Sequence, residues 1–495
     1  MKLVKGVTLL SAAMMLAACG SSSSSDDEDP ASVSTYSFES KVNAGESSVS
    51  HSGQSTRHLL INELKSFIAS DELKAATTKE AALFELNRIY ATGVNSAVEG
   101  TLYDVNVYGA GTSTDISNPL SEQQIEDGLT LVQTTFQDVS DDKNLKGKMA
   151  GCDNDLSQEE GFIGWTIPLD ELIDCGQDEE VVLDDQDKAH TLIQIWFNQI
   201  ADRVAAGEDN VYVTDEGLDL QQLIQKFLLG AVTYSQAAED YLKATKGLLK
   251  QNTEADNQEE FDTGEDTSLK TYTSLEHQWD EGFGYFGAAH DYLAYTDAEN
   301  KANSANDTNG DTQIDLMKGE YSFGHSINAA KRDVGSDGAT DFSTEAMAAF
   351  IAGRKLINDN VAVETASDGA DAAYYDALVA YSETALGAWE KAIASTVVHY
   401  INDVISETET LGTNEEAEFA DRAKHWSEMK GFALSLQFRP IPTISRDDLI
   451  TVHANMGEAP ILTAEDAADY IVALEAARDL LKDAYQFDAE VVAGW

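Results

Sequence analysis

Between residues 307 and 315 the chain reads Asp307-Thr308-Asn309-Gly310-Asp311-Thr312-Gln313-Ile314-Asp315, with side-chain oxygens at positions 1, 3, 5 and 9. Gln313 offers a backbone carbonyl at position 7, and Ile314 falls at the apolar position 8. This is the EF-hand-type spacing, in which a loop wraps one hard cation in oxygen; Ca2+ suits it because it takes about six to eight oxygens in flexible geometry. Two positions depart from the pattern. Thr312 stands at position 6, where a glycine makes the sharp turn, and Lys318 at position 12, where a bidentate carboxylate closes the cage. Glu320 lies two residues further on and is the candidate to close it instead. The expected calcium ligands are therefore Asp307, Asn309, Asp311, Gln313, Asp315 and Glu320. A second acidic run, Asp333 to Asp341 with Glu345 beyond, has Gly338 at position 6, but Gly335 at position 3 has no side chain to offer. Asp341 or Ser343 reads equally well as the cap of a helix over Thr344 to Ile357.

Histidines and carboxylates form two further groups. His277, Asp280 and Glu281 share one helical face at i, i+3 and i+4, in a helix opened by the capping box Thr273-Ser-Leu-Glu276. His425 and Glu428 repeat the i, i+3 spacing, and His399 ends a helix that carries Trp389 and Glu390. Imidazole with carboxylate can hold a transition metal such as iron or zinc, or orient a substrate. A histidine flanked by Trp and Phe also serves as a hydrogen-bonded core residue. There is no H-E-x-x-H motif, no G-x-S-x-G elbow and no phosphate-binding glycine loop.

The elements that position these groups are helices. Six prolines in 495 residues leave long uninterrupted stretches. Apolar residues recur at helical period in Ser55 to Ala69, Ala189 to Ala205, Leu218 to Leu242 and Thr463 to Tyr485. Tyr374 to Asp403 reads as one long helix or two abutting ones. Ser121 to Thr135, which opens with Ser-x-x-Gln and continues with Ile125, Leu129 and Val132, is expected to be helical as well. Gln251 to Ser268 and Asp297 to Asp307 are expected to be polar loops. The fold expected is all-α, a multi-helix bundle with long acidic loops and an EF-hand-like calcium loop.

The N-terminus carries a different kind of chemistry. Lys2 and Lys5 precede an apolar stretch, Val7 to Leu16, that is too short to span a bilayer as a helix. It ends in Leu16-Ala17-Ala18-Cys19, which looks like a lipobox, so Cys19 is the expected lipidation site. The expected organisation is a signal peptide at 1–18, a Ser/Asp-rich tether at 19–35 and a helical domain at 36–495. Gly20 is not the aspartate that retains lipoproteins in the inner membrane, which makes the outer membrane the expected address, facing periplasm or cell surface. The remaining cysteines, Cys152 and Cys175, would then lie in an oxidising compartment that favours a disulfide, worth about 3 kcal/mol for a loop of this length. A metal site on the two thiolates is the alternative. A formal net charge of -56 repels nucleic acid and anionic headgroups and attracts cations.

Several segments together resemble a bacterial lipoprotein family known as the domain of unknown function numbered 4856. They are Tyr36-Ser-Phe38, Gly53-Gln54-Ser-Thr-Arg57, Trp279-Asp280-Glu281-Gly-Phe283-Gly-Tyr285, the Asp307 to Asp315 loop with Ala329-Ala-Lys-Arg-Asp333, Trp389-Glu390 with His399-Tyr-Ile-Asn402, and His425-Trp-Ser-Glu428. The resemblance implies a setting like that of imelysin-type lipoproteins, which are linked to iron acquisition and carry a G-x-H-x-x-E motif. His425 and Glu428 match its H-x-x-E part, while Ala423 stands in place of the glycine. The function expected is that of a calcium-stabilised, non-enzymatic envelope lipoprotein that binds or hands over a metal ion. Its partners would be the membrane, through the lipid anchor, and other envelope lipoproteins or an outer-membrane receptor. The alternatives are a metal-dependent hydrolase or peptidase using His277, Glu281, His425 and Glu428, and a surface adhesion or scaffold protein.

Overall fold

Frequent alanine and rare proline let the backbone coil almost throughout, and the chain is mostly helical. The computed structural model describes residues 34–93, 128–154, 156, 161–175, 183–361 and 372–495. Cys19, the segment 1–18 and the tether as far as Val33 lie outside them. The main helices are α1 (Ser52–Ile68), α2 (Lys188–Ala206), α3 (Leu220–Leu228), α4 (Ser274–Phe286), α5 (Asp297–Ala302), α6 (Gly324–Gly335), α7 (Phe342–Asp359), α8 (Tyr375–Glu409), α9 (Phe419–Ser435), α10 (Arg446–Met456) and α11 (Ala467–Tyr485). No described helix is long and apolar enough to cross a membrane.

Helix α8 is a single element of 35 residues, roughly 50 Å long at 1.5 Å per residue. It is the axis on which α6, α7, α9 and α11 pack, while α1 lies against α3 and α4. The apolar stripe Trp389, Ile393, Val397 and Ile401 is fully buried. Trp389 meets Tyr234, Phe286 and His325 with ring centroids 5.1, 5.3 and 5.4 Å away. Trp279 of α4 lies against Gly353 of α7, where a Cβ would sit 2.1 Å from its ring, so that glycine sets how closely the two helices approach.

Three expectations about local structure need correction. Residues 128–135 are not helical: Thr130–Leu131 (β1) pairs in parallel with Gln313–Ile314 (β2), and Thr135 caps a short helix at Phe136–Val139. The β-branched run Thr130, Val132, Thr134, Thr135 favours extended backbone, and the buried Gln133 fixes it by donating to Asp315. The supposed loops at 251–268 and 297–307 contain helices, Gln258–Thr263 and α5, the latter opened by a capping box between Thr296 and Glu299. Past Leu228, α3 widens into π-helical turns at Leu229–Tyr234 and Ala237–Tyr241. Side chains compete for its carbonyls: Leu229 O receives both Thr233 Oγ1 and His325 Nε2, and Ala231 O receives Ser235 Oγ.

Cys152 and Cys175 are disulfide-bonded, with Cα atoms 5.3 Å apart. Within this loop Trp165 packs edge-on against the buried Trp196 of α2, at 5.3 Å.

The most buried polar feature is Arg354 of α7. Its guanidinium donates to Asp280 Oδ1 at 2.7 Å, Glu276 Oε1 at 2.8 Å and Ser48 Oγ at 2.8 Å, and all three charged groups are fully buried. Glu276 serves twice, since its second oxygen closes the Thr273 capping box. Removing one member of such a group leaves uncompensated buried charge, at a cost of about 3–5 kcal/mol. Arg354→Ala is expected to lower stability by about that amount in urea denaturation. A loss under about 1 kcal/mol would show that the network is not what holds α4 to α7.

Candidate functional site

The Asp307 loop follows α5 and runs into β2. The Asp307 carboxylate accepts the amides of Gly310 and Asp311 on one oxygen and of Thr312 on the other, at 2.9, 3.2 and 2.9 Å. Asn309 Oδ1 accepts from Asp311 N, and Asp311 Oδ1 from Gln313 N. Gly310 and Thr312 both have positive φ, +73° and +66°. A non-glycine residue in that region costs about 1–2 kcal/mol, so the loop's own hydrogen bonds hold Thr312 in the turn that glycine takes at position 6. Glu320 reaches back to the loop: its oxygens accept from Asn309 Nδ2 at 3.1 Å and from Asp315 N at 2.8 Å. Asp315 is engaged by Gln133, Met317 N and Lys318. Burial opposes its ionisation, but bonds from Gln133 and Lys318 outweigh burial and keep the carboxyl below its usual value. Burial raises the pKa of Glu320.

The His277 face divides. Asp280 turns inward, where Tyr36 Oη and Arg354 share one oxygen and Ser50 N takes the other. His277 and Glu281 stay at the edge of α4 with Nε2 and the carboxylate 4.0 Å apart. The ring of His277 stacks on Tyr272 at 4.5 Å, its Nδ1 lies 3.2 Å from Ser50 O, and Glu281 accepts from Gln54.

The His425 face gathers more partners. His425 Nδ1 lies 2.7 Å from Glu407 Oε1 of α8. Glu428 pairs with Lys226 of α3 at 3.2 Å and with the Tyr400 hydroxyl. Tyr400 stacks between His425 and Phe432, each at 6.1 Å. His399, one residue before Tyr400, lies 3.4 Å from Asp403. The charge of His425 bears on His399, which places the two histidines in one neighbourhood. Cations surround this centre. Lys65 is pushed down to about 7 by burial and by Lys226, and Lys331 is lowered by burial and by Lys226. Arg332 has a buried Nε without a hydrogen-bond partner among the described residues. Sequence reasoning missed Lys226 and Lys65, which come from different helices and belong to no local motif, and gave Arg332 no site role although it lies in the quoted Ala329 to Asp333 segment. No described contact joins this face to His277.

The second acidic run is rearranged as well. Asp341 stands at the N-cap position of α7 but its side chain makes no capping bond; the buried Asp333 of α6 takes that part, accepting from Phe342 N, Ser343 N and Thr340 Oγ1. Asp297 accepts from Ser343 Oγ. Asp297, Asp333 and Asp341 place carboxylate oxygens within 4.8 Å of one another, a grouping of three that neither histidine face attains among the described residues. Glu345 instead pairs with Lys391.

Residues 123–320 match the family model described as "Domain of unknown function (DUF4856)". Over this stretch, which is less than half of its length, the chain is similar to that family. The DUF4856 match takes in the Asp307 loop, Glu320 and the His277 face; His425, Glu428 and His399 lie beyond it. No curated protein and no solved structure matches the chain.

The bond to Glu407 outweighs partial burial and raises the pKa of His425 above 6.5. A group held above its unfolded value contributes stability that is complete below about pH 6.5 and is lost as pH rises through the folded value. Ring-proton NMR is expected to place the His425 midpoint above 6.5, and Glu407→Gln to bring it down. An unchanged midpoint in the variant would remove Glu407 as the cause.

Proposed function

We propose that this protein is an extracytoplasmic, lipid-tethered helical binding protein whose Asp307–Asp315 loop holds one calcium ion. The observation that carries the reading is the winding of the loop: Gly310 and Thr312 both left-handed, with the Asp307 carboxylate gathering three successive amides. Asp307, Asn309, Asp311, Gln313, Asp315 and Glu320 supply oxygen only, the donor set that suits Ca2+. β2 joins the loop to β1, so an ion there would brace the ends of two distant segments. The anchor at Cys19 gives the reading its setting, because calcium is plentiful outside the cytoplasm and even a weak site stays filled there.

The calcium part has a direct test. Binding to the folded state alone stabilises it by about 2.7 kcal/mol at a free ligand concentration 100-fold above Kd. Millimolar Ca2+ is expected to raise the thermal midpoint, EDTA to reverse the rise, and the double variant Asp307→Ala, Asp311→Ala to abolish the response. No shift in the wild type, together with no calcium bound in equilibrium dialysis, would sink the proposal.

A second reading concerns iron or zinc. Here the His425 face is favoured over the His277 face, since it holds two histidine–carboxylate pairs in one neighbourhood, His425 with Glu407 and His399 with Asp403, whose side chains would have to draw together to share an ion, whereas Asp280 is engaged by Arg354. Elemental analysis after loading with iron or zinc is expected to give bound metal that His399→Ala with His425→Ala removes. Metal content equal in the variant and the wild type would end this reading.

A further inference from the structure

A cavity of about 410 Å³ opens between the disulfide-held segment and helices α9 and α10. It is large enough for a small organic molecule; ligand sites run from about 300 to 1,000 Å³. Arg446, Ile450 and His453 line it from one face of α10, at i, i+4 and i+7. Lys430 of α9 and Trp165 complete the wall, with Glu458 just past the end of α10. On a helix packed against its own protein that face would be an apolar stripe; here it carries two nitrogen bases.

Two of these groups have unused bonding capacity. His453 is 4% exposed, and neither ring nitrogen has a hydrogen bond of good geometry among the described residues, the backbone of Ala433 drawing on the ring only weakly. Burial, and secondarily Lys430, holds its pKa well below 6.5, so the imidazole is neutral and keeps one donor and one acceptor. The contact is built: Gly164, at φ +91°, lies so close that a Cβ there would be 2.6 Å from the ring. Lys430 is 1% exposed and donates to Gly457 O at 2.7 Å, one of the three bonds an ammonium can make. Its nitrogen lies 5.9 Å from the centre of the Trp165 ring. Burial pushes this amine down to about 7, against the pull of Glu458. Glu458 itself is committed to Thr166, whose amide and hydroxyl it accepts at 3.3 and 2.6 Å. Arg446 donates to Gly161 O. Ile450, 44% exposed, offers apolar surface at the mouth.

In a chain with 88 acidic and 32 basic residues, a cavity with two cations, a neutral imidazole and one engaged carboxylate is set against its surroundings. We propose that it binds a small organic carboxylate, the anionic group at Lys430 and His453 and the apolar body along Trp165 and Ile450. An anion would offer the His453 N–H a stronger acceptor than the Ala433 backbone does and favour the charged form of Lys430. The site shares no residue with the Asp307 loop, so it stands or falls independently of calcium.

Calorimetric titration of the full chain with benzoate and phenylacetate, and with benzamide and benzylamine as neutral and cationic counterparts, tests this. At least one carboxylate is expected to saturate at sub-millimolar concentration, and its amide counterpart to bind about tenfold more weakly or less. Carboxylate affinity should rise about tenfold from pH 8 to pH 6, because Lys430, held at about 7 by burial, gains its proton across that interval; Arg446, Glu458 and the neutral His453 are the other titratable groups that line the cavity. Lys430→Met should reduce binding about tenfold. Since Lys430 also ties down Gly457, Ile450→Asp provides a second variant at an exposed rim; it should weaken carboxylate binding by a similar factor at an unchanged thermal midpoint. Benzamide matching benzoate, no carboxylate saturating by about 5 mM, or full affinity in Ile450→Asp would each overturn the proposal.

Discussion

The guanidinium of Arg354 is the point on which the N-terminal half of the domain closes. Its donors reach α4 at Glu276 and Asp280 and the extended segment at Ser48, while Tyr36 Oη and Ser50 N complete the coordination of Asp280. Asn358 adds a bond to Glu276 and another to Glu39 O. Three stretches of chain far apart in sequence are thereby oriented by one planar cation whose fork of donors fits this arrangement. A buried ion group of this kind contributes more to uniqueness of register than to net stability, which comes from the tryptophan-rich packing around it. Arg439 plays the corresponding part at the other end of α8, joining Glu390 and Glu383, with Thr443 and Tyr485 on the same Glu390 carboxylate.

Long periodic elements were readable before any coordinates. Leu59, Leu60, Leu64 and Ile68 line the buried side of α1, and the Thr273 capping box opens α4 where its spacing puts it. Short elements were not. The Ser121 to Thr135 window has apolar residues at both helical and strand spacing; residues 121–127 lie outside the described residues, and the state of 128–135 is decided by Gln133 meeting Asp315, 182 positions away. Local polarity also misled at 297–307, because a capping box can start a helix in a polar sequence as well as in an apolar one.

The candidate ligands divide on the same principle. The bonds of Asp307, Asn309 and Asp311 run to neighbours in sequence, and so to amides that the spacing itself places. Asp280 was legible as a carboxylate on a histidine face, but its true partner, Arg354, lies 74 residues on. Glu428 likewise answers Lys226 from another helix. A face tells which residues travel together; it does not tell which cation waits opposite. His453 gave no signal at all in sequence, for its distinguishing property is the want of a hydrogen bond of good geometry.

The interior placement of basic side chains has a consequence for the whole molecule. Arg354, Arg439, Lys226 and Lys430 are all at most 8% exposed, although the chain has only 32 lysines and arginines against 88 aspartates and glutamates. Nearer the surface, pairs such as Lys79–Asp202 and Lys355–Asp359 engage some of the carboxylates, which still far outnumber the remaining cations. Mobile ions screen exposed charges over about 8 Å at physiological ionic strength, but they do not reach buried pairs. Added electrolyte therefore relieves the repulsion outside while leaving the attraction inside intact. For this fold the surrounding solution acts as a structural component, and dilution of its ions is a form of denaturant.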